Sequence, residues 1–265
     1  ARCGLDKGTV ILQQPVRQAG DLAFVKFLND VRAGRCLSTV VAASRAYHVS
    51  VKRLPSDGII PTRLYCTNRE VDKENEARLS ALPGQLRTYA GQDSFTTRAG
   101  GVSNGPAAAK RTLVELLNKQ VPRELRLKVN AQVVLLRKLQ GHSLVNGSRG
   151  VVTQLLDTAV VVHFDNGQIV KVERDRFSHT GASVVSTRHQ IPLRLAWALT
   201  IHRSQGMTLT RAEIQIDDAF SCGQAYVALS RVTSFAGLWI GGRGMKEEKI
   251  VAHKEALKFY GLLES

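Results

Sequence analysis

Two hydrophobic periods divide this chain. Phe24, Phe27, Leu28 and Val31 recur at i, i+3, i+4 and i+7, the stripe of an amphipathic helix that Asp21 opens and that ends near Gly34. Val10–Leu12 ahead of it is a short apolar strand candidate, and Ser38–Tyr47 behind it predicts a second helix. After a turn at Leu54–Gly58, Ile59–Cys66 reads as a strand, with Pro61 near its start, where a missing donor is tolerated. Thr67 and Glu70 have capping-box spacing, and Val71, Asn75, Leu79 and Leu82 line one face of the helix that follows, up to Pro83-Gly84. A Gly-rich connection over Ala99–Pro106 leads into a short helix with Leu113, Leu116 and Leu117 on its apolar side.

From Leu127 the period becomes two. Lys128–Leu139, Arg149–Leu156, Ala159–Asp165 and Gln168–Arg174 are closely spaced strand runs, joined by Asn146-Gly147 and by Asp165-Asn166-Gly167, a strong hairpin signal. Short strands with tight turns predict a small antiparallel barrel. Leu195–Thr200 then reads as an apolar strand whose last hydroxyl caps a helix opening on His202, Arg203, Ser204 and Gln205. Ile214 and Ile216 alternate within a strand over Ala212–Asp217, and Ser221 with Gln224 has capping-box spacing before Ala225–Arg231. Gly237–Gly241 is a last strand and Lys246–Leu263 a closing helix with Leu257 and Tyr260 inward. The fold class is therefore α/β. Strand–helix alternation favours a parallel sheet, whose ligands bind beyond the carboxyl ends of the strands, where the polar cluster from Thr200 to Gln205 lies.

Charge narrows the partner class. The 265 residues carry 37 Lys+Arg against 22 Asp+Glu, a net +15 and a pI near 10.1. This excess points to a polyanion such as nucleic acid, although ribosomal and membrane-surface proteins share it. Cys3, Cys36, Cys66 and Cys222 form no C-x-x-C pair, and His163, His179 and His189 lack metal-ligand spacing, so no metal site is expected. No apolar run approaches the ~20 residues of a membrane span, and no targeting signal is readable.

The motif wording goes further. "TIHRSQGMTL" at Thr200–Leu209, followed by "GQAYVALSR" at Gly223–Arg231, resembles the last two helicase motifs of superfamily 1, and in particular the petite-integration-frequency (PIF) family of DNA helicases. "PVRQ" at Pro15–Gln18, "TRLYCTNREVDKENEARLSALPG" from Thr62 and "LVNGSRGVV" at Leu144–Val152 resemble the same family. The resemblance covers nearly the whole chain and implies the second RecA-like motor domain (1–126 and 189–265), with a small Src-homology-type β-barrel inserted over 127–188.

It assigns roles as well. Arg231 is implied as an arginine finger facing ATP and Arg17 as a second, with Gln18, Gln205, Gly206, Gln224 and Tyr226 coupling nucleotide to DNA. Thr200, His202, Arg203 and Ser204 are implied to grip single-stranded DNA. Arg149 is a candidate phosphate contact at the barrel rim, along with Lys138, Lys171, Arg174 and Arg176, and Asn68 could touch DNA. Each has a blander reading: a surface Arg in a Pro-containing turn for Arg17, an N-cap or turn for Asn68, solvated charges for the barrel's basic residues. Phe164 and Phe177 read as barrel core before stacking platforms. Arg203 stands where many members have Lys, and Val232 where a smaller residue is usual.

What is missing defines the rest of the expectation. The sequence contains no G-x-x-x-x-G-K-[ST] loop and no strand ending in Asp-Glu, so ATP and Mg²⁺ would be held by a preceding RecA-like half and this chain alone should not hydrolyse ATP. The expected partners are that half and single-stranded or forked DNA, with movement 5′ to 3′. A mitochondrial, nuclear or bacterial cytoplasmic setting is open. The alternative is an inactive remnant acting as a basic, RNA-binding component of a ribonucleoprotein.

Overall fold

The computed structural model describes residues 15–56, 58–97, 101, 106–217 and 221–264; the strand expected at Val10–Leu12 lies outside them. In chain order the elements are α1 (Leu22–Arg32), α2 (Ser38–Ala46), β1 (Thr62–Tyr65), α3 (Asn68–Ala81), β2 (Arg87–Ala90), β3 (Gln92–Thr96), α4 (Ala107–Gln120), β4 (Glu124–Leu127), β5 (Gln132–Leu135), β6 (Arg149–Leu155), β7 (Ala159–Phe164), β8 (Ile169–Glu173), β9 (Asp175–Thr180), β10 (Val185–Gln190), β11 (Leu193–Leu195), β12 (Ala198–Thr200), β13 (Ala212–Ile214), α5 (Gln224–Leu229), β14 (Leu238–Ile240) and α6 (Lys254–Glu264).

Local signals placed the helices. The Asp21 carboxylate accepts from Phe24 N at 2.9 Å and starts α1, whose Phe24, Phe27, Leu28 and Val31 are all buried. Thr67 caps α3 and its hydroxyl donates to Glu70 Oε2 at 2.8 Å, while Val71, Asn75 and Leu79 point inward. Two helical expectations are corrected. The run after Thr200 is a succession of turns over 201–206, because the Ser204 hydroxyl bonds back to Ile201 O and Gly206 turns left-handed at φ 80° before a helix is established. The residue capping α5 is Gly223, not Ser221: it sits at φ 74°, which glycine adopts without steric cost. Leu257 of α6, expected inward, is exposed.

β12, β1, β13 and β14 form one four-stranded sheet in that order, every neighbouring pair parallel. Leu64, Leu199, Ile214 and Ile240 fill its core together with α1 and α5. The rest is antiparallel. Strands β11-β5-β6-β7-β8 form one sheet and β2-β4 another, around a core that includes Tyr89, Leu127, Val133, Val160 and Phe164, while β3-β10-β9 forms a third that packs on α4 around Leu117, Val121 and Phe177. The α/β reading holds, with a small antiparallel β-barrel interrupting a parallel-sheet domain.

The two regions are fastened together by buried polar groups. Gln132 accepts from Ile60 N and donates to Ile60 O and Ala196 O, all at about 3 Å. Arg149 is fully buried and reaches Ile60 O, Thr62 Oγ1 and Thr210 Oγ1, with Asp165 3.5 Å away. Gly147, at φ 98°, leaves room for the close pass of the following motif: a Cβ there would sit 2.8 Å from Thr208 O.

Candidate nucleotide and nucleic-acid site

The carboxyl end of the parallel sheet gathers the polar residues. β12 ends at Thr200, and the turns beyond it are built from within: Thr200 Oγ1 accepts from Arg203 N at 3.2 Å and Ser204 Oγ donates to Ile201 O at 2.7 Å. Thr200 and Ser204 are both buried, so their side chains shape the loop from beneath. His202, Gln205 and Gly206 are exposed and Arg203 is half-buried, which makes these four the loop's outer face.

Arg17 and Arg231 converge on one residue. Arg17 Nη1 donates to Ser230 O and its Nε to Thr208 Oγ1, each at 3.0 Å. Arg231 Nη2 donates to Ser230 Oγ at 2.8 Å and its Nε to Val227 O at 2.9 Å. Gln18 is buried and holds the junction by donating to both Ser230 O and Val232 O. Among the described residues neither guanidinium has a carboxylate partner. Burial first, and then the neighbouring Arg17 charge, push the Arg231 guanidinium below its usual range. Two cations held side by side on neutral acceptors form a ready site for an anion. The site joins the Thr200 loop through the main chain, since Leu209 N donates to Arg231 O at 2.9 Å.

The remaining candidates divide. Tyr226 is half-buried on α5 and its hydroxyl is electrostatically felt by Arg231. Gln224 is buried and its amide oxygen accepts from Ser221 N at 3.4 Å, which turns it toward the start of its own helix. Asn68 is exposed at the first position of α3, while the cap beside it is Thr67. Arg149 is corrected outright: with no exposed surface and four partners it cannot meet a DNA phosphate, and its charge rivets barrel to sheet. The sequence reading missed Ser230, which accepts from both arginines, and Thr208, which accepts from Arg17. Their only signal was position, immediately before Arg231 and immediately after the Gln205-Gly206-Met207 run. Among the described residues no cluster of three or more His, Cys, Asp or Glu could hold a metal ion.

Fold and site together define a RecA-like α/β domain carrying an inserted Src-homology-type β-barrel. A family model described as the 2B domain of DNA helicase Pif1 matches residues 115–155. The ATP-dependent DNA helicase PIF1 of Xenopus laevis is 36% identical over 253 residues, covering 92% of this chain and 37% of that protein; its Homo sapiens counterpart is 38% identical over 238 residues, covering 87% and 34%. Among solved structures, the Pif1 helicase of Candida albicans superposes with a TM-score of 0.70 at 30% identity, covering 94% of this chain and 60% of that one. Bacteroides sp Pif1 in complex with ADP-AlF4 gives 0.73 at 25%, covering 96% and 55%. Along nearly its whole length the chain is similar to DNA helicases of the PIF family. It spans little more than a third of the length of the curated relatives just named.

Proposed function

We propose that this chain is the C-terminal motor half of an ATP-dependent DNA helicase that moves 5′ to 3′ along single-stranded DNA. The observation that carries the reading is the convergence of Arg17 and Arg231 on Ser230, at the sheet edge that also bears the Thr200 loop. Relatives described as ATP-dependent DNA helicases, and a Bacteroides Pif1 structure bound to single-stranded DNA at 25% identity and a TM-score of 0.62, support it.

The residues present fit a nucleoside triphosphate bound mainly by another domain. ATP supplies the phosphoryl group that is transferred and magnesium its counter-charge. Arg17 and Arg231 present two fixed donors toward the developing charge, with Gln18 and Ser230 fixing their spacing. A guanidinium in this role contributes on the order of 10³–10⁵ in rate. Arg203 and His202 face the DNA backbone, and Thr200 and Ser204 keep the loop in the shape that presents them. Because Thr208 bonds Arg17 and Leu209 bonds Arg231, a shift of the arginines at the nucleotide is passed to the loop that leads into them. Gln205 and Gly206 lie on that connection.

The test is a polarity assay on the protein carrying both RecA-like halves. Forked substrates with a 5′ single-stranded tail should be unwound in an ATP-dependent reaction, while the same duplexes with a 3′ tail should not. Unwinding from the 3′ tail, or no DNA-stimulated hydrolysis at all, overturns the reading.

A further inference from the structure

A cleft of about 350 Å³ opens between the end of α4, the Thr200 loop and the barrel. Its walls include Lys119, Arg137, Asn146, Arg194, Arg203 and Gln205. Four of these six are cations, and among the described residues no carboxylate lines the cleft. Arg137 is already committed: its Nη1 donates to Asp175 Oδ2 at 3.0 Å and its guanidinium lies over the Phe177 ring, 4.4 Å from the centroid. The other three, Lys119, Arg194 and Arg203, have no ion pair among the described residues. Asn146 adds an amide oxygen that is buried without a hydrogen-bond donor among those residues.

Arg194 is the member that nothing in the motif reading explains. It is the middle residue of β11, between Leu193 and Leu195, and its Nη2 approaches Lys119 O at 3.5 Å. Burial first and then the Arg203 charge push its guanidinium down to about 10, with only Asp72 opposing. Arg194 and Arg203 also line a second cleft, of about 360 Å³, along α3. That one carries Asp72, Glu76 and Glu124, of which Glu76 is paired with Arg126 at 3.3 Å and the other two have no cation partner among the described residues. A polyanion reaching this arginine pair is therefore repelled on the α3 side and drawn to the side of Lys119.

We propose that Arg194 and Lys119 form a second phosphate seat next to that of Arg203, so that the cleft between α4, the Thr200 loop and the barrel holds consecutive phosphates of single-stranded DNA. The proposal rests on the reading of Arg203 as a DNA-gripping residue. It extends the binding surface from the motif loop to α4 and β11, and it gives the barrel a role as the cleft's far wall.

The test uses the 265-residue chain and a fluorescently labelled oligothymidylate, with anisotropy titrations over a series of salt concentrations. Removing one phosphate contact lowers the slope of log K against log salt by about 0.7 for a single strand. Arg203→Ala, Arg194→Ala and Lys119→Ala should each produce that fall. Arg194→Lys keeps the charge and should keep the slope, and Lys26→Ala, exposed on α1, should leave binding unchanged. Lys119 is exposed, so its variant decides the matter should Arg194→Ala fail to fold, as thermal melts of every variant will show. If Arg203→Ala lowers the slope while Arg194→Ala or Lys119→Ala does not, the second seat is overturned and the DNA reading stands. If Arg203→Ala leaves the slope unchanged, or the chain binds with no salt dependence or not at all, both are overturned.

Discussion

The barrel and the tips of the parallel sheet use arginine in opposite ways. In the barrel, Arg149 and Arg188 are fully buried, and each faces an acid: Arg149 has Asp165, and Arg188 makes a two-pronged contact with Asp93 at 2.6 and 2.8 Å, with Asn118 and Val121 O completing its donors. At the sheet tips, Arg17 and Arg231 rest on hydroxyls and carbonyls, and Arg203, like Arg194 across the cleft on β11, has no carboxylate of its own among the described residues. A guanidinium neutralised inside the protein is an internal fastener. One positioned by neutral acceptors keeps its charge for something outside. The inventory of partners, not the residue type, separates the two uses.

The strongest way to break that comparison is at Arg231. In the protein carrying both halves, Arg231→Ala should cut DNA-stimulated ATP hydrolysis by about 10³–10⁵, while nucleotide-free DNA affinity and the melting temperature stay close to wild type. Arg231→Lys should restore only part of the rate, because an ammonium lacks the planar fork. Steady-state hydrolysis and anisotropy on the same preparations check this. A rate equal to wild type would overturn the reading of Arg231 as a group that faces the nucleotide.

Arg188 should behave in the reverse sense. Arg188→Ala strands the Asp93 carboxylate, and breaking such a buried pair costs about 3–5 kcal/mol. Denaturant unfolding should show the loss directly. Replacing Arg188 and Asp93 together by apolar residues of similar volume should recover most of it, since the stranded charge is gone. If Arg188→Ala unfolds at the wild-type midpoint, the fastener reading of the barrel arginines fails.

Ser204 lies between these extremes. It carries no charge, yet its hydroxyl fixes the turn that presents Arg203. Ser204→Ala should cost about 1–3 kcal/mol for the buried acceptor left at Ile201 O and should lower DNA affinity less than Arg203→Ala does. Thermal melts and anisotropy check the two parts. Equal losses of DNA affinity in both variants would place Ser204 on the DNA itself.

How much of this could be read from the sequence depended on the range of the interaction involved. α1 and α3 were legible because their caps and apolar stripes are local: Asp21 with Phe24, Thr67 with Glu70. Strands β2, β3 and β4 escaped notice because each is four or five residues long, with charged or polar positions, and owes its existence to distant partners. Arg87 pairs with Leu127 and Gln92 with His189. Arg149 was read as a rim charge for the same reason, since nothing near it in sequence announces Ile60, Thr62 or Thr210. Arg17 and Arg231 were legible only through the motif resemblance. What the sequence did not disclose is that 213 positions of separation end at one carbonyl, Ser230 O, for Arg17.

The smallest expected effect is at the start of α3, and it sharpens the comparison by using a neutral residue. The sequence left Asn68 open between capping its helix and touching DNA. The structure gives the cap to Thr67, whose hydroxyl serves Glu70, and leaves Asn68 exposed at the first helical position, beyond the carboxyl end of β1. Thr67→Ala should therefore cost about 1 kcal/mol of stability, the usual loss for a cap. Asn68→Ala should stay within about 0.5 kcal/mol of wild type, as exposed substitutions do. Any fall in single-stranded DNA affinity with Asn68→Ala then reports a contact, free of a folding effect. Because an amide brings no counterion release, that fall should leave the salt slope unchanged, unlike the fall produced by Arg203→Ala. Paired melts and salt-series titrations on Thr67→Ala, Asn68→Ala and wild type carry the test. A destabilised Asn68→Ala would mean that the cap is shared, and unchanged affinity would confine DNA recognition to the arginine side of the sheet edge.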